Sequence, residues 1–202
     1  MTHSKLSSVL LVCSLLAGCA TTAAGSGQTT PTNSSDVPLS ESINAPRTIA
    51  VRSAEFADGA AIPAANSFSG FGCAGQNTSP SLSWTGAPET ARSFAIIAHD
   101  PDAPTGVGFF HWLVFDLPAS TRELAAGAAL PSGAIAGRTD FGSTAYGGPC
   151  PPPGSPHRYV FTVYALDVPS LGLTDPPSGA LLRFMLAQHT VAYGRLTGTF
   201  QR

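Results

Sequence analysis

Three runs of strand-forming residues, each bounded by proline or glycine, constrain this chain more than any other feature. Arg92-Ser-Phe-Ala-Ile-Ile-Ala-His99 ends at Asp100-Pro101, and Phe109-Phe-His-Trp-Leu-Val-Phe-Asp-Leu117 stops at Pro118. The third and clearest, His157-Arg-Tyr-Val-Phe-Thr-Val-Tyr-Ala-Leu166, follows a proline-rich loop. β-Branched and aromatic side chains pack well on a pleated surface, and proline cannot donate to a strand ladder. In the third run Tyr159, Phe161, Val163 and Ala165 fall on one face, and Arg158, Val160, Thr162 and Tyr164 on the other. Weaker strand candidates lie at 49–54, 81–85 and 196–200. With 21 Gly and 18 Pro in 202 residues, the composition favours loops and strands over a helical bundle. One helix reads clearly. Ser178 can cap it, Leu181, Leu182, Met185, Leu186 and His189 recur at helical spacing, and Gly194 stands where such a helix would end. The expectation is a mainly β domain, a sandwich or barrel with a few peripheral helices.

The N-terminus reads as an address. Met1 to Ser8 is polar with one cation, Lys5; Val9 to Ala17 is a short apolar run; Leu16-Ala17-Gly18-Cys19 follows. A charged start, a short apolar segment and a small-residue cleavage site make a secretory signal. The cysteine directly after Leu-Ala-Gly resembles a bacterial lipobox, which implies removal of residues 1–18 and a lipid on Cys19. Ala20 follows in place of the Asp that retains lipoproteins at the inner membrane, so the expected location is the cell envelope, on the outer membrane facing the periplasm. Residues 19–46 are Thr, Ser, Ala, Gly, Asn and Pro with almost no large apolar side chain, and should form a flexible tether. The folded domain is then expected over 47–202.

Composition excludes several classes of function. Net charge is −2, and the ten basic residues are scattered singly, so no basic stripe exists to hold nucleic acid. No run of about 18 apolar residues is present to span a membrane as a helix. With Cys13 removed and Cys19 lipidated, the domain keeps Cys73 and Cys150, which are either a disulfide in an oxidising compartment or two buried thiols. No zinc-type Cys/His spacing appears, and neither a metal nor a cofactor is expected.

The side chains capable of chemistry gather at strand ends. Asp100 and Asp102 stand two apart in Asp-Pro-Asp-Ala-Pro, with both prolines fixing the backbone. His111 interrupts an aromatic and aliphatic strand, and His157, Arg158 and Tyr159 open the third run. If the three strands are neighbours, carboxylate, imidazole and phenol converge on one pocket suited to a small anion such as phosphate. Plainer roles stand beside these. Asp100 is also ordinary turn chemistry, His111 also reads as a hydrogen-bonded core histidine, and His189 as helix packing. Arg158 points away from Tyr159 and fits an ion pair with an Asp. No G-x-S-x-G elbow, H-E-x-x-H helix or phosphate-binding glycine loop is present.

Six segments carry a resemblance. Asn77-Thr-Ser-Pro-Ser-Leu-Ser-Trp84, His99-Asp-Pro-Asp-Ala-Pro-Thr-Gly106, Phe110-His-Trp112, Arg138-Thr-Asp-Phe-Gly142, Tyr146-Gly-Gly-Pro-Cys-Pro-Pro-Pro-Gly154 and His157-Arg-Tyr159 occur in this order. Together they resemble the phosphatidylethanolamine-binding protein family, in particular its bacterial Raf-kinase-inhibitor-like branch, over about residues 48–202. The resemblance implies a sandwich of two antiparallel sheets. It also implies a small anion pocket lined by Asp100, Asp102, His111, His157 and Tyr159, with Tyr146, Gly148, Pro149 and Cys150 contributed by the proline-rich loop. In that sandwich the Cys73 and Cys150 loops border the same pocket, so the two should be bonded. Cys150 stands where eukaryotic relatives carry a small residue, and the C-terminal helix differs from theirs; kinase binding therefore does not transfer.

The function expected is binding. The pocket would hold a small anion or a phospholipid headgroup, close to the membrane through the Cys19 lipid. The alternative is inhibition of an exported protease or other enzyme through the pocket rim. A third reading is an enzyme, a hydrolase, with His111 or His157 as an acid/base paired with Asp100. The expectation goes against it, because no set of nucleophile, base and orienting group is visible in these motifs.

Overall fold

The computed structural model describes residues 43–202; the signal, the lipobox at Cys19 and most of the tether lie outside the described residues. Along the chain run β1 (Ala50–Arg52), β2 (Ser69–Gly70), β3 (Cys73–Ala74), β4 (Leu82–Thr85), β5 (Ser93–Asp100), β6 (Phe109–Pro118), β7 (Glu123–Leu124), β8 (Ile135–Ala136), β9 (His157–Leu166), α1 (Gly179–His189) and β10 (Thr190–Phe200). The strands make three antiparallel sheets: five strands in the order β10-β9-β5-β6-β8, three in the order β1-β4-β7, and the small pair β2-β3. The three strong runs of the sequence are therefore neighbours, with β5 at the centre between β9 and β6.

Every residue of β5 is buried, which explains its nearly continuous apolar sequence. Phe94, Ile96 and Ala98 point to one face, where they meet Val51, Leu82, Trp84 and Leu124 of the three-stranded sheet. Ala95 and Ile97 point to the other, where Leu182 and Leu186 of α1 and Leu171 cover them. The antiparallel sandwich expected from the sequence is present, with α1 as an added layer. Full burial of a side chain such as Phe94 stabilises by roughly 1.5–3 kcal/mol, so the two clusters supply the main drive for this arrangement.

Three boundaries differ from the sequence expectation. Ile43 is buried in the α1-side cluster and the Pro46 carbonyl accepts from Tyr193 N–H, so residues 43–46 belong to the domain rather than to the tether. The helix begins as expected, with Ser178 Oγ accepting from Leu181 N–H, but ends at His189 instead of running to Gly194. Thr190 and Val191 are β-branched, and from Thr190 the chain pairs with β9 along its whole length, so the last strand begins six residues before 196. Gly194 is there for close packing: a Cβ would overlap the Ile49 carbonyl, whose segment is bonded to Tyr193. Of the few helices expected, the described residues hold α1 and one 3-10 turn, Ala64–Asn66.

Candidate functional site

The carboxyl end of β5, the amino end of β6 and the start of β9 lie side by side, and a pocket of about 170 Å³ opens there. Its lining includes Asp100, His111, Cys150, His157 and Tyr159 from the expected set. Phe71, Phe109, Phe141, Pro104, Pro151 and Pro152 supply an apolar wall.

A bulge aims His111. Ala98 pairs with Trp112 and His99 with Phe110, so β6 carries one residue more than β5 at this point, and that residue is His111. Its ring is wedged among Phe109, Phe141 and Tyr159, with centroids 5.1, 5.4 and 5.1 Å away. Nδ1 donates to the Gly147 carbonyl at 2.7 Å, and Gly147 N–H donates back to the His111 carbonyl. Burial pushes the imidazole below its ordinary pKa, against the bond to Gly147 and the charge of Asp100, which act the other way. Nε2 is buried and meets no partner.

Asp100 fills both of the roles its sequence allows. Oδ1 accepts from the amides of Asp102 and Ala103, a turn fixed by the flanking prolines, while Oδ2 accepts from His157 Nδ1 at 2.8 Å. Tyr159, fully buried on β9, has its Oη near Asp100 but within full hydrogen-bond distance of no partner. Burial, and next the charge of Asp100, hold its proton on well above the usual phenol range. The pocket thus combines a carboxylate-oriented imidazole, a second imidazole and a phenol, with two buried polar atoms left for a ligand.

Four expected site residues do not line this pocket. Asp102 is held by Arg158 in a two-pronged ion pair at 2.7 and 3.0 Å, which keeps its carboxyl below the usual range; Arg158 is the ion-pair partner that its position in the strand suggests. Tyr146 turns away, donating to the Asn66 carbonyl and lining a separate cavity of about 300 Å³ with Trp112. Gly148 N–H is committed to Asn77 Oδ1, and the Pro149 carbonyl accepts from Phe68 N–H. These residues brace the loop from behind. With Gly147 and Gly154 N–H also bonded and four prolines lacking an amide, Cys150 N–H is the one amide of residues 147–154 that no hydrogen bond engages. The Asn77 and Phe141 motifs were visible in the sequence, but the roles of these two as brace and wall were not.

Cys73 and Cys150 form a disulfide, with α-carbons 6.0 Å apart. It ties the β2-β3 turn, carrying Phe71 at the pocket mouth, to the proline-rich loop. Arg202 Nη1 lies 3.8 and 3.7 Å from the two sulfurs and donates to the Phe71 carbonyl. Among the described residues no three His, Cys, Asp or Glu side chains converge as metal ligands.

The chain is an antiparallel β-sandwich with a small pocket at its strand ends, apolar over most of its wall with a few polar groups set into it. The sequence profile of the phosphatidylethanolamine-binding protein family matches residues 52–201, and the chain belongs to that family. The Escherichia coli protein YbcL is 44% identical over 158 residues, 75% of this chain and 86% of that protein. Its crystal structure superposes with a TM-score of 0.74, covering 77% of this chain and 99% of that one, and is described as a new member of the mammalian PEBP family. A Mycobacterium tuberculosis protein named as a candidate lipoprotein, LppC, is 36% identical over 154 residues, 76% of this chain and 72% of that protein. The Chlamydia trachomatis homologue CT736 superposes with a TM-score of 0.69 at 32% identity, covering 77% of this chain and 99% of that one.

Proposed function

We propose that this protein is an envelope-anchored binding protein that holds a small acid, phosphoryl or carboxylate, in the Asp100/His111/His157/Tyr159 pocket. The observation that carries this reading is the pair of buried, unpartnered polar atoms, His111 Nε2 and Tyr159 Oη, in one pocket wall. Buried polar groups normally find partners, and a polar ligand would supply them here. The acid comes from a free metabolite or from a phospholipid headgroup. Binding without turnover fits the site, because the one sulfur in the pocket wall, Cys150, is tied up in the disulfide.

Tyr159→Phe tests the pocket. A hydrogen bond to a charged ligand contributes roughly 1.5–3 kcal/mol, so phosphate affinity should fall about tenfold or more. Stability should fall little, because in the free protein the lost hydroxyl has only a weak contact, with Asp100. Unchanged affinity in the folded variant contradicts the assignment.

The anchor rests on Leu16-Ala-Gly-Cys19 and is supported by the lipoprotein name of LppC. No helix among the described residues is long and apolar enough to cross a membrane. Palmitate labelling and detergent partitioning should both disappear in Cys19→Ser; labelling that persists excludes lipidation there.

A second reading is favoured by Phe71, which is 75% exposed at the pocket mouth. An exported enzyme could dock on this rim and place an acidic side chain in the pocket. Loss of that enzyme's inhibition on Phe71→Ser, with phosphate binding intact, would select this reading.

A further inference from the structure

Only one nitrogen of His111 is available to a ligand, and the fold fixes its character. A carbonyl oxygen only accepts, so Nδ1, 2.7 Å from the Gly147 carbonyl, must carry the ring's proton. In the neutral ring Nε2 is then a bare lone pair, buried and unpartnered. The groups that face this ring are Asp100 and His99 from β5, Asp140 from the segment after β8, and His157 and Tyr159 from β9. Both carboxylates favour a proton on the ring, but burial outweighs them. An anion oxygen set against Nε2 would bring two lone pairs together. Such a contact is repulsive unless a proton lies between them.

We infer that the pocket binds its acid through one shared proton at His111 Nε2. A phosphomonoester in its monoanionic form brings that proton as its own P–O–H; a phosphodiester has none, and His111 must take one from solvent. This rests on the anion-pocket reading above and narrows the ligand class. At neutral pH the pocket prefers phosphomonoesters, free small molecules among them, over phosphodiesters. A phosphatidylethanolamine headgroup is a phosphodiester and falls in the disfavoured class. The proton balance closes for both classes. Binding a diester removes one proton from the buffer and adds it to His111. A monoester, with a second pKa of about 6 and so mostly dianionic at pH 7, takes up nearly one on its own oxygen at a lower cost. Release returns it in either case.

The sign with pH follows. Above the pKa of free His111, diester affinity should drop about tenfold for each unit that pH rises, because one proton is bound with each ligand. The test is calorimetric titration of the protein with methyl phosphate and dimethyl phosphate, each in two pH 7 buffers of different protonation enthalpy. Dimethyl phosphate should bind with uptake of close to one proton, and methyl phosphate about tenfold tighter. His111→Gln replaces the lone pair with a permanent N–H donor, so binding by this variant should show neither proton uptake nor the monoester preference. Buffer-independent heats with equal affinities for the two probes in the unaltered protein would overturn the inference and leave the pocket intact. A preference that survives in His111→Gln is steric and overturns it too. If neither probe binds between pH 5 and 8, the anion-pocket reading itself falls.

Discussion

Reduction of the Cys73–Cys150 disulfide is expected to lower the unfolding free energy by about 4 kcal/mol, the chain-entropy value for so long a loop. The bond spans 77 positions, so the reduced, unfolded chain gains a large freedom that the oxidised one lacks. On a typical domain stability of roughly 5–15 kcal/mol this is a large fraction. The same bond should also set ligand affinity. Cys150 lies among prolines in a loop held from behind by Asn77, and Cys73 follows Phe71, whose backbone sits at φ 51° in the left-handed region. Phe71 in turn stacks on Phe68 and Phe141, which walls the pocket. Freed of the cross-link, the loop and the aromatic stack must be ordered again each time a ligand binds. Denaturant unfolding of the Cys73→Ala/Cys150→Ala variant checks the first effect, and phosphate titration of the same protein the second. An unchanged unfolding midpoint would show that the bond contributes little to stability, and unchanged phosphate affinity that it does not order the pocket.

Acid should destabilise the fold through His99. This side chain is only 3% exposed, its Nε2 donates to the Val107 carbonyl at 3.0 Å, and its ring packs on Phe110. Burial lowers its pKa from the ordinary 6.5 to about 4. The unfolded chain therefore takes up a proton before the folded one does. The stability this residue contributes is complete above pH 6.5 and is lost as pH falls toward 4, by about 3 kcal/mol in all. His111, also shifted down by burial, adds a loss of the same sign. His99→Gln keeps an N–H for Val107 but cannot be charged. Its stability should decline less between pH 7 and 4.5 than that of the unaltered protein. Parallel stability curves for the two would show that His99 is not the acid-sensitive group.

What could be read in the sequence follows physical range. The three strong strands were legible because alternation and proline stops act within ten residues. That β5 would be covered on both faces was not, since its second cover is α1, about 80 residues further on. The helix start was written in Ser178, whose hydroxyl reaches only to Leu181. Its end was misread at Gly194, because a glycine that lets two backbones approach looks, in one sequence, like a glycine that stops a helix. The site divides in the same way. Asp100, His111, His157 and Tyr159 carry their chemistry in their own side chains and meet in the pocket. Tyr146 and Gly148 have partners fixed by distant segments, at Asn66 and Asn77, and no local pattern announces this. The bulge that turns His111 inward is a property of strand pairing, and pairing is set by the whole sheet.

The central claim is that a small acid sits between His111 and Tyr159. The most direct measurement follows the histidine ring nitrogens by NMR in ¹⁵N-histidine-labelled protein during addition of phosphate. Histidine rings stand at four described positions, 99, 111, 157 and 189, and His189 is engaged elsewhere with Asp167. The account predicts saturable shifts at His111 and His157, with His189 unmoved and the His111 and His157 shifts weakened together in Tyr159→Phe. Saturable shifts confined to His189, or none at His111 and His157 at any phosphate concentration, would contradict it.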